Sequence, residues 1–198
     1  MTALPRPPHD TGPERLLTIA EYAALGEDDQ HRWELQEGTM VVSPRPKPRH
    51  MRASGCMFMQ LEPQVPADLC LIQDVDIDLE LVPSDQPGWS RRPDLIVTDR
   101  RAIDRVDRDG GILRASEVRL VVEIVSPGSK RMDNVIKRGE YADAGIPHYW
   151  IIDLDPPPWL LDCHLAEGFG YQDGGDITGT FETTEPFAIL VKLDQLIR

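Results

Sequence analysis

With 34 acidic against 21 basic side chains in 198 residues and a formal net charge of −13, the chain is long enough for one filled core and too acidic to hold nucleic acid across its whole surface. No apolar stretch approaches the roughly 20 residues of a membrane helix, and the start lacks the apolar segment of a secretory signal, so a cytoplasmic protein without a membrane partner is expected. The three cysteines, Cys56, Cys70 and Cys163, are scattered without a CxxC pair and are expected to be reduced core residues.

Pro5, Pro7, Pro8 and Pro13 stand among few large apolar side chains, so residues 1–15 read as a disordered tail ahead of one domain over 16–198. Thr18 followed by Glu21 is a capping box that opens a short helix ending near Gly26. Residues 32–43 alternate in the manner of two strands, with Glu37-Gly38 at the turn. A proline-rich loop, 44–48, precedes a core-packing helix over 50–61, carried by Met51, Ser54, Met57, Phe58 and Leu61. From Asp74 to Leu81 acidic and apolar residues alternate without a fault, predicting a half-buried strand with Val75, Ile77, Leu79 and Leu81 inward and the acids outward.

Pro93-Asp94 opens a further strand, and the polar stretch from Asp99 to Gly111 reads as a mobile connection. Leu120–Val125 is the most buried-looking strand. Ser129 is the expected N-cap of a helix running to Ala144, closed by Gly145 and Pro147, and His148–Asp153 is the next strand. Strand, helix and strand with short connections describe a parallel βαβ crossover. The remainder reads as an antiparallel β meander. The fold class is therefore α/β with mixed α+β character: a central mixed sheet flanked by helices, with the meander added.

Two carboxylates stand out. Asp94 and Glu123 are each set among Leu, Ile and Val, and burying a carboxylate is costly without a compensating cation or donor. Together on neighbouring strands they would repel one another, and their hard oxygens suit magnesium or manganese; alternatively each sits at a strand end and finds water or an arginine. Asp133, Lys137 and Tyr141 follow at i, i+4 and i+8 on one helix face, from which Lys137 could reach the carboxylates or simply form a surface ion pair with Asp133. Any nucleic-acid contact must be local. Candidate basic patches are Arg45, Lys47, Arg49 and Arg52 around His50; Arg91, Arg92, Arg100 and Arg101; and Lys130, Arg131, Lys137 and Arg138, each equally compatible with a solvated surface.

The order and spacing of Arg92-Pro-Asp94, Val122-Glu-Ile-Val-Ser-Pro127, Asp133, Lys137, Tyr141, Gly145-Ile-Pro147 and Tyr149-Trp-Ile-Ile-Asp153 resemble the Uma family of restriction-endonuclease-like proteins. Trp33-Glu34-Leu35, Gly38 and His50 resemble its N-terminal half. The family is part of the PD-(D/E)XK nuclease superfamily. The resemblance implies a magnesium- or manganese-dependent endonuclease acting on nucleic acid, DNA first, with Asp94, Glu123 and the backbone carbonyl of Ile124 as metal ligands. Val125 stands where the superfamily pattern calls for lysine, and Lys137 is the expected substitute. Glu34, Asp133 and Tyr141 are further site candidates, and Arg49, His50 and Arg92 are candidate nucleic-acid contacts. A catalytically silent binding module and a metal-dependent hydrolase of small phosphoesters are the competing expectations. A homodimer through the C-terminal meander is expected from the symmetry of double-strand cutters.

Overall fold

The computed structural model describes residues 15–26, 31–43, 46–126 and 130–197. Residues 1–14 of the tail expected at 1–15, part of the proline loop and the Ser129 cap lie outside the described residues. Among those described, no helix is long and apolar enough to cross a membrane.

Helix α1 (Ile19–Ala23) starts at the expected capping box: the Glu21 N–H donates to Thr18 Oγ1 at 3.3 Å, and the Glu21 carboxylate accepts from the Thr18 N–H at 3.0 Å. Strands β1 (Arg32–Gln36) and β2 (Thr39–Ser43) form the hairpin, turning through Glu37 at φ 50° and Gly38 at φ 75°. Positive φ at both central residues matches the turn to the twist of its strands. Helix α2 (Pro48–Leu61) starts at a proline whose missing N–H costs nothing there, and it buries Ala53, Ser54, Met57 and Leu61. Met51, expected in the core, is instead half exposed.

Then follow β3 (Leu69–Gln73), β4 (Ile77–Asp78), β5 (Ser90–Arg91), β6 (Leu95–Asp99), α3 (Arg100–Asp109), β7 (Leu113–Arg114) and β8 (Val118–Val125). The alternating run from Asp74 to Leu81 is mostly not a strand. Asp74 and Glu80 take φ of 55° and 52°, so pairing is confined to Ile77–Asp78. Ile77 and Leu79 are buried while Val75 and Leu81 are only partly so. The acids do not all face outward either, since Asp76 sits 3.4 Å from the Tyr22 hydroxyl that donates to it, and burial pushes its pKa up to about 6. The supposedly mobile connection after Asp99 is helix α3. Its single buried side chain, Ala102, gave little apolar signal, and it is tied down by Arg105, which donates two 2.7 Å bonds to Glu117.

Beyond β8, the crossover opens with a π-helical turn (Met132–Lys137) that continues as α4 (Arg138–Asp143) and returns through β9 (His148–Asp153). The chain closes with β10 (Trp159–Ala166), β11 (Gly170–Asp173), β12 (Ile177–Thr178), β13 (Thr180–Thr183) and β14 (Ile189–Lys192). The central sheet runs β11-β10-β9-β8-β6-β3, with β12 also on β10; β8 and β9 are parallel, as the crossover requires, and the other pairs are antiparallel. A smaller mixed sheet runs β2-β1-β5-β4-β7, and β13–β14 form a separate hairpin. The expected meander is thus divided, its first strands extending the central sheet.

Alternation along the central strands sends side chains to two cores. Leu95, Val97, Leu120, Val122, Trp150 and Ile152 pack beneath α2 and the β13–β14 hairpin. Ile96, Val121, Tyr149 and Ile151 pack on the opposite face with Ala102 of α3 and Tyr141 of α4. Cys163 is buried, but Cys56 and Cys70 are only partly buried, and all three are free thiols.

Candidate active site

Antiparallel β6 and β8 are in register with Leu95 opposite Val122, and one step further along that register brings Asp94 across from Glu123. Both carboxylates are nearly closed to solvent, at 7% and 5% exposure. The Ile124 backbone N–H donates to Asp94 Oδ2 at 2.7 Å, and His50 Nε2 lies 2.7 Å from Asp94 Oδ1. His50 thus reaches the carboxylate from α2. Glu123 Oε1 accepts from Lys137 Nζ at 2.7 Å and from the Tyr141 hydroxyl at 2.9 Å.

Lys137 is buried among acids. Its ammonium lies 3.3 Å from Glu34 and 3.9 Å from Asp133 in addition to Glu123. Desolvation pulls its pKa down, but Glu123, Glu34 and Asp133 together outweigh that and hold it above the ordinary lysine value. Desolvation acts the other way on Glu123, pushing its pKa up against the pull of Lys137, with Asp94 and Asp133 adding to the rise. Glu34 is also buried, yet Lys137 and Arg91 overcome desolvation and hold its carboxyl below the ordinary range. The alternative of a surface Asp133–Lys137 pair is overturned, since the lysine is interior and its nearest acid is Glu123.

Arg91, expected in a surface basic patch, is 1% exposed. It donates to Glu34 Oε2 at 2.8 Å and twice to Glu140 at 2.6 Å, a planar two-point pairing that lysine could not make. Neither Arg91 nor Glu140 was singled out from sequence as a site residue. A signal existed for Glu140, which follows Lys137 by three positions and so shares its helix face. Tyr149, edge-on to Tyr141 with ring centres 5.1 Å apart, donates to the Asp133 carbonyl at 3.0 Å and steadies the π-helical turn.

The structure thus brings together Asp94, Glu123, Lys137, Glu34, Asp133 and Tyr141, with Ile124 and His50 at their edge. Arg92 and Arg49 stand apart. The Arg92 side chain donates to Asp74 at 2.8 Å, and the Arg49 side chain donates to the Leu154 carbonyl. Arg49 and His50 nevertheless border a cleft of about 190 Å³, also lined by Lys47, Lys130 and Asp153. A larger cavity of about 660 Å³ lies at Leu16, Val41 and Trp89, and none of the clustered carboxylates lines it.

Five carboxylates, Asp94, Glu123, Glu34, Asp133 and Glu140, share this interior with two full cations, Lys137 and Arg91. The donor set fits a hard divalent cation, because adjacent carboxylates supply oxygen ligands and their surplus negative charge is relieved by one.

The chain matches over residues 19–171 the model of the Uma2 family, described as "Putative restriction endonuclease". Among solved structures it is similar to a protein of Anabaena variabilis described as a "putative nuclease belonging to DUF820", at 16% identity and a TM-score of 0.64, with 91% of this chain and 97% of that one covered. At that identity the likeness speaks for the fold, a restriction-endonuclease-like mixed sheet flanked by helices. No curated protein matches the sequence. Because the family model spans most of the residues that build the sheet and the buried carboxylates, the chain belongs to the Uma2 family.

Proposed function

We propose that the protein is a metal-dependent endonuclease that hydrolyses nucleic-acid phosphodiesters, with DNA as the first substrate to test. The observation that carries this reading is the buried Asp94–Glu123 pair on adjacent strands with the Lys137 ammonium 2.7 Å from Glu123. Asp94 and Glu123 would hold magnesium or manganese, with the Ile124 carbonyl as a third oxygen donor. When bound, the ion supplies Lewis-acid neutralisation of the phosphate and a lowered pKa for attacking water.

The chain's own groups have separate tasks. Lys137, kept protonated by three carboxylates, is a hydrogen-bond donor and fixed positive charge, not a general base, and it offsets charge developing on the phosphate. It takes the part that Val125 on β8 cannot. Tyr141 donates to the same Glu123 oxygen as Lys137 and fixes the carboxylate rotamer. His50 and the Ile124 N–H do this for Asp94. Glu34 anchors Lys137 from the far side, and Arg91 holds Glu34 against Glu140. Lys47, Arg49 and Lys130 at the neighbouring cleft supply local positive charge for flanking phosphates, which a chain of net charge −13 needs there.

The direct test is nicking of supercoiled plasmid with magnesium or manganese by the wild type, Asp94→Asn and Lys137→Met, with circular dichroism to check folding. Loss of cleavage in folded Asp94→Asn supports the reading. Cleavage that persists in Asp94→Asn refutes it, and a wild type that binds DNA without cutting identifies a silent binding module.

A further inference from the structure

On the opposite face of the central sheet from Glu123, two histidines stand directly across from one another: His148 on β9 pairs in register with His164 on β10. We propose that His148, His164 and Glu185 form a second, separate site for a divalent transition-metal ion of the zinc class. One ligand atom from each of the three lies within 4.8 Å of the others. The imidazoles meet edge-on with ring centres 5.1 Å apart, and His164 Nδ1 is 4.0 Å from Glu185 Oε2.

Three features distinguish this cluster from a chance pair of histidines. His148 is only 8% exposed, and its Nδ1 is buried without a hydrogen-bond partner among the described residues, an arrangement that costs free energy unless something else is bound there. His164 is oriented from behind. Its Nε2 lies 2.8 Å from Asp162 Oδ2, while the other oxygen of Asp162 accepts the Trp150 indole N–H at 2.7 Å. A carboxylate fixed in this way sets the tautomer of a metal-binding imidazole and leaves the second nitrogen, here Nδ1 facing Glu185, as ligand. The third feature is access, because the side chains of His164 and Glu185 are 40% and 70% exposed and leave a path for the ion and for water in a fourth position.

Two imidazoles and one carboxylate suit zinc, whereas magnesium prefers an all-oxygen shell; the two sites therefore differ in ion class. Ligand atoms around tetrahedral zinc with bonds near 2.0–2.1 Å stand about 3.3 Å apart, so closure needs a shift on the order of 1 Å, mostly by exposed Glu185.

The test is calorimetric titration of the full chain with Zn2+ in excess Mg2+, together with visible absorption of added Co2+. One equivalent of zinc should bind, with tetrahedral cobalt bands, and His164→Ala and Glu185→Ala should each weaken binding by at least about 10-fold, while Asp94→Asn leaves it unchanged. Absence of zinc binding, or binding unaffected in both His164→Ala and Glu185→Ala, overturns the assignment, as does zinc binding lost in Asp94→Asn alone.

Discussion

Replacing Arg91 by leucine removes a buried cation that joins β5 to the crossover helix. The guanidinium makes three hydrogen bonds of 2.6–2.8 Å to Glu34 and Glu140, carboxylates only 4% and 9% exposed. Breaking a buried pair by deleting one partner costs about 3–5 kcal/mol, since the other charge stays behind unpaired. In a domain of this size each kcal/mol lowers the melting temperature by about 2–4 °C, so Arg91→Leu should melt about 6–20 °C below the wild type. The two acids are not equally exposed to the loss. Glu34 retains Lys137 at 3.3 Å and the Arg92 N–H at 3.3 Å, whereas among the described residues the Glu140 carboxylate is hydrogen-bonded by Arg91 alone. Adding Glu140→Gln to Arg91→Leu should therefore restore more stability than adding Glu34→Gln. Calorimetric melting of the four proteins at pH 7 measures this, and an Arg91→Leu protein that melts within about 2 °C of the wild type would refute the account of the network.

Lys137→Met should lower plasmid-nicking rate by about 10²–10³, the range for losing one preorganised charge stabiliser, and Lys137→Arg should not restore it because the larger fork cannot occupy a pocket between Glu123, Glu34 and Asp133; full activity in either variant contradicts the assigned task. Asp76 titrates at about 6 in the folded protein against an ordinary 3.8, so the ionised form is disfavoured by burial and stability is lost as pH rises from about 4 to 6. Asp76→Asn should accordingly stabilise by about 2–3 kcal/mol at pH 7, with the gain shrinking toward pH 4; urea midpoints at both pH values check it, and an equal gain at both would be inconsistent with a proton-linked cause. Gly38→Ala forces a Cβ to 2.8 Å from both Leu16 and Pro87 at φ 75° and should cost about 2 kcal/mol or more by urea unfolding, while Gly55→Ala, with open space around it in mid-helix, should stabilise slightly.

Legibility from sequence followed the strength of the apolar pattern. The strands at Leu95–Asp99, Val118–Val125 and His148–Asp153 are near-continuous apolar runs, and the crossover between the last two was readable from Gly145 and Pro147. Helix α3 was not readable because seven of its ten residues are charged and it is held by ion pairs, a kind of support that leaves no hydrophobic period. Asp74–Leu81 failed for the opposite reason. Its period was perfect, but Asp74 and Glu80 take positive φ and interrupt the strand, which alternation does not encode. At the site, Asp94 and Glu123 were visible as charges out of place in apolar surroundings, and Lys137 from its helix-face spacing with Asp133 and Tyr141 and from the family resemblance. Arg91 and His50 were noted as members of basic patches, and their contacts with Glu140 and Asp94 were hidden because those partners lie 49 and 44 positions away, where no local spacing records a contact.

The lysine facing Glu123 is carried by the crossover segment and not by β8 itself. The sheet can therefore be complete while its acidic centre is still without its cation, and that centre exists only while the segment around Met132–Asp143 is docked. Opening of this one segment, at a free energy below that of global unfolding, would separate Lys137 and Tyr141 from Glu123 and Glu140 from Arg91 in a single event. The site thus reports the state of a local folding unit, and the proposed activity would have its own melting curve, one that can precede that of the sheet.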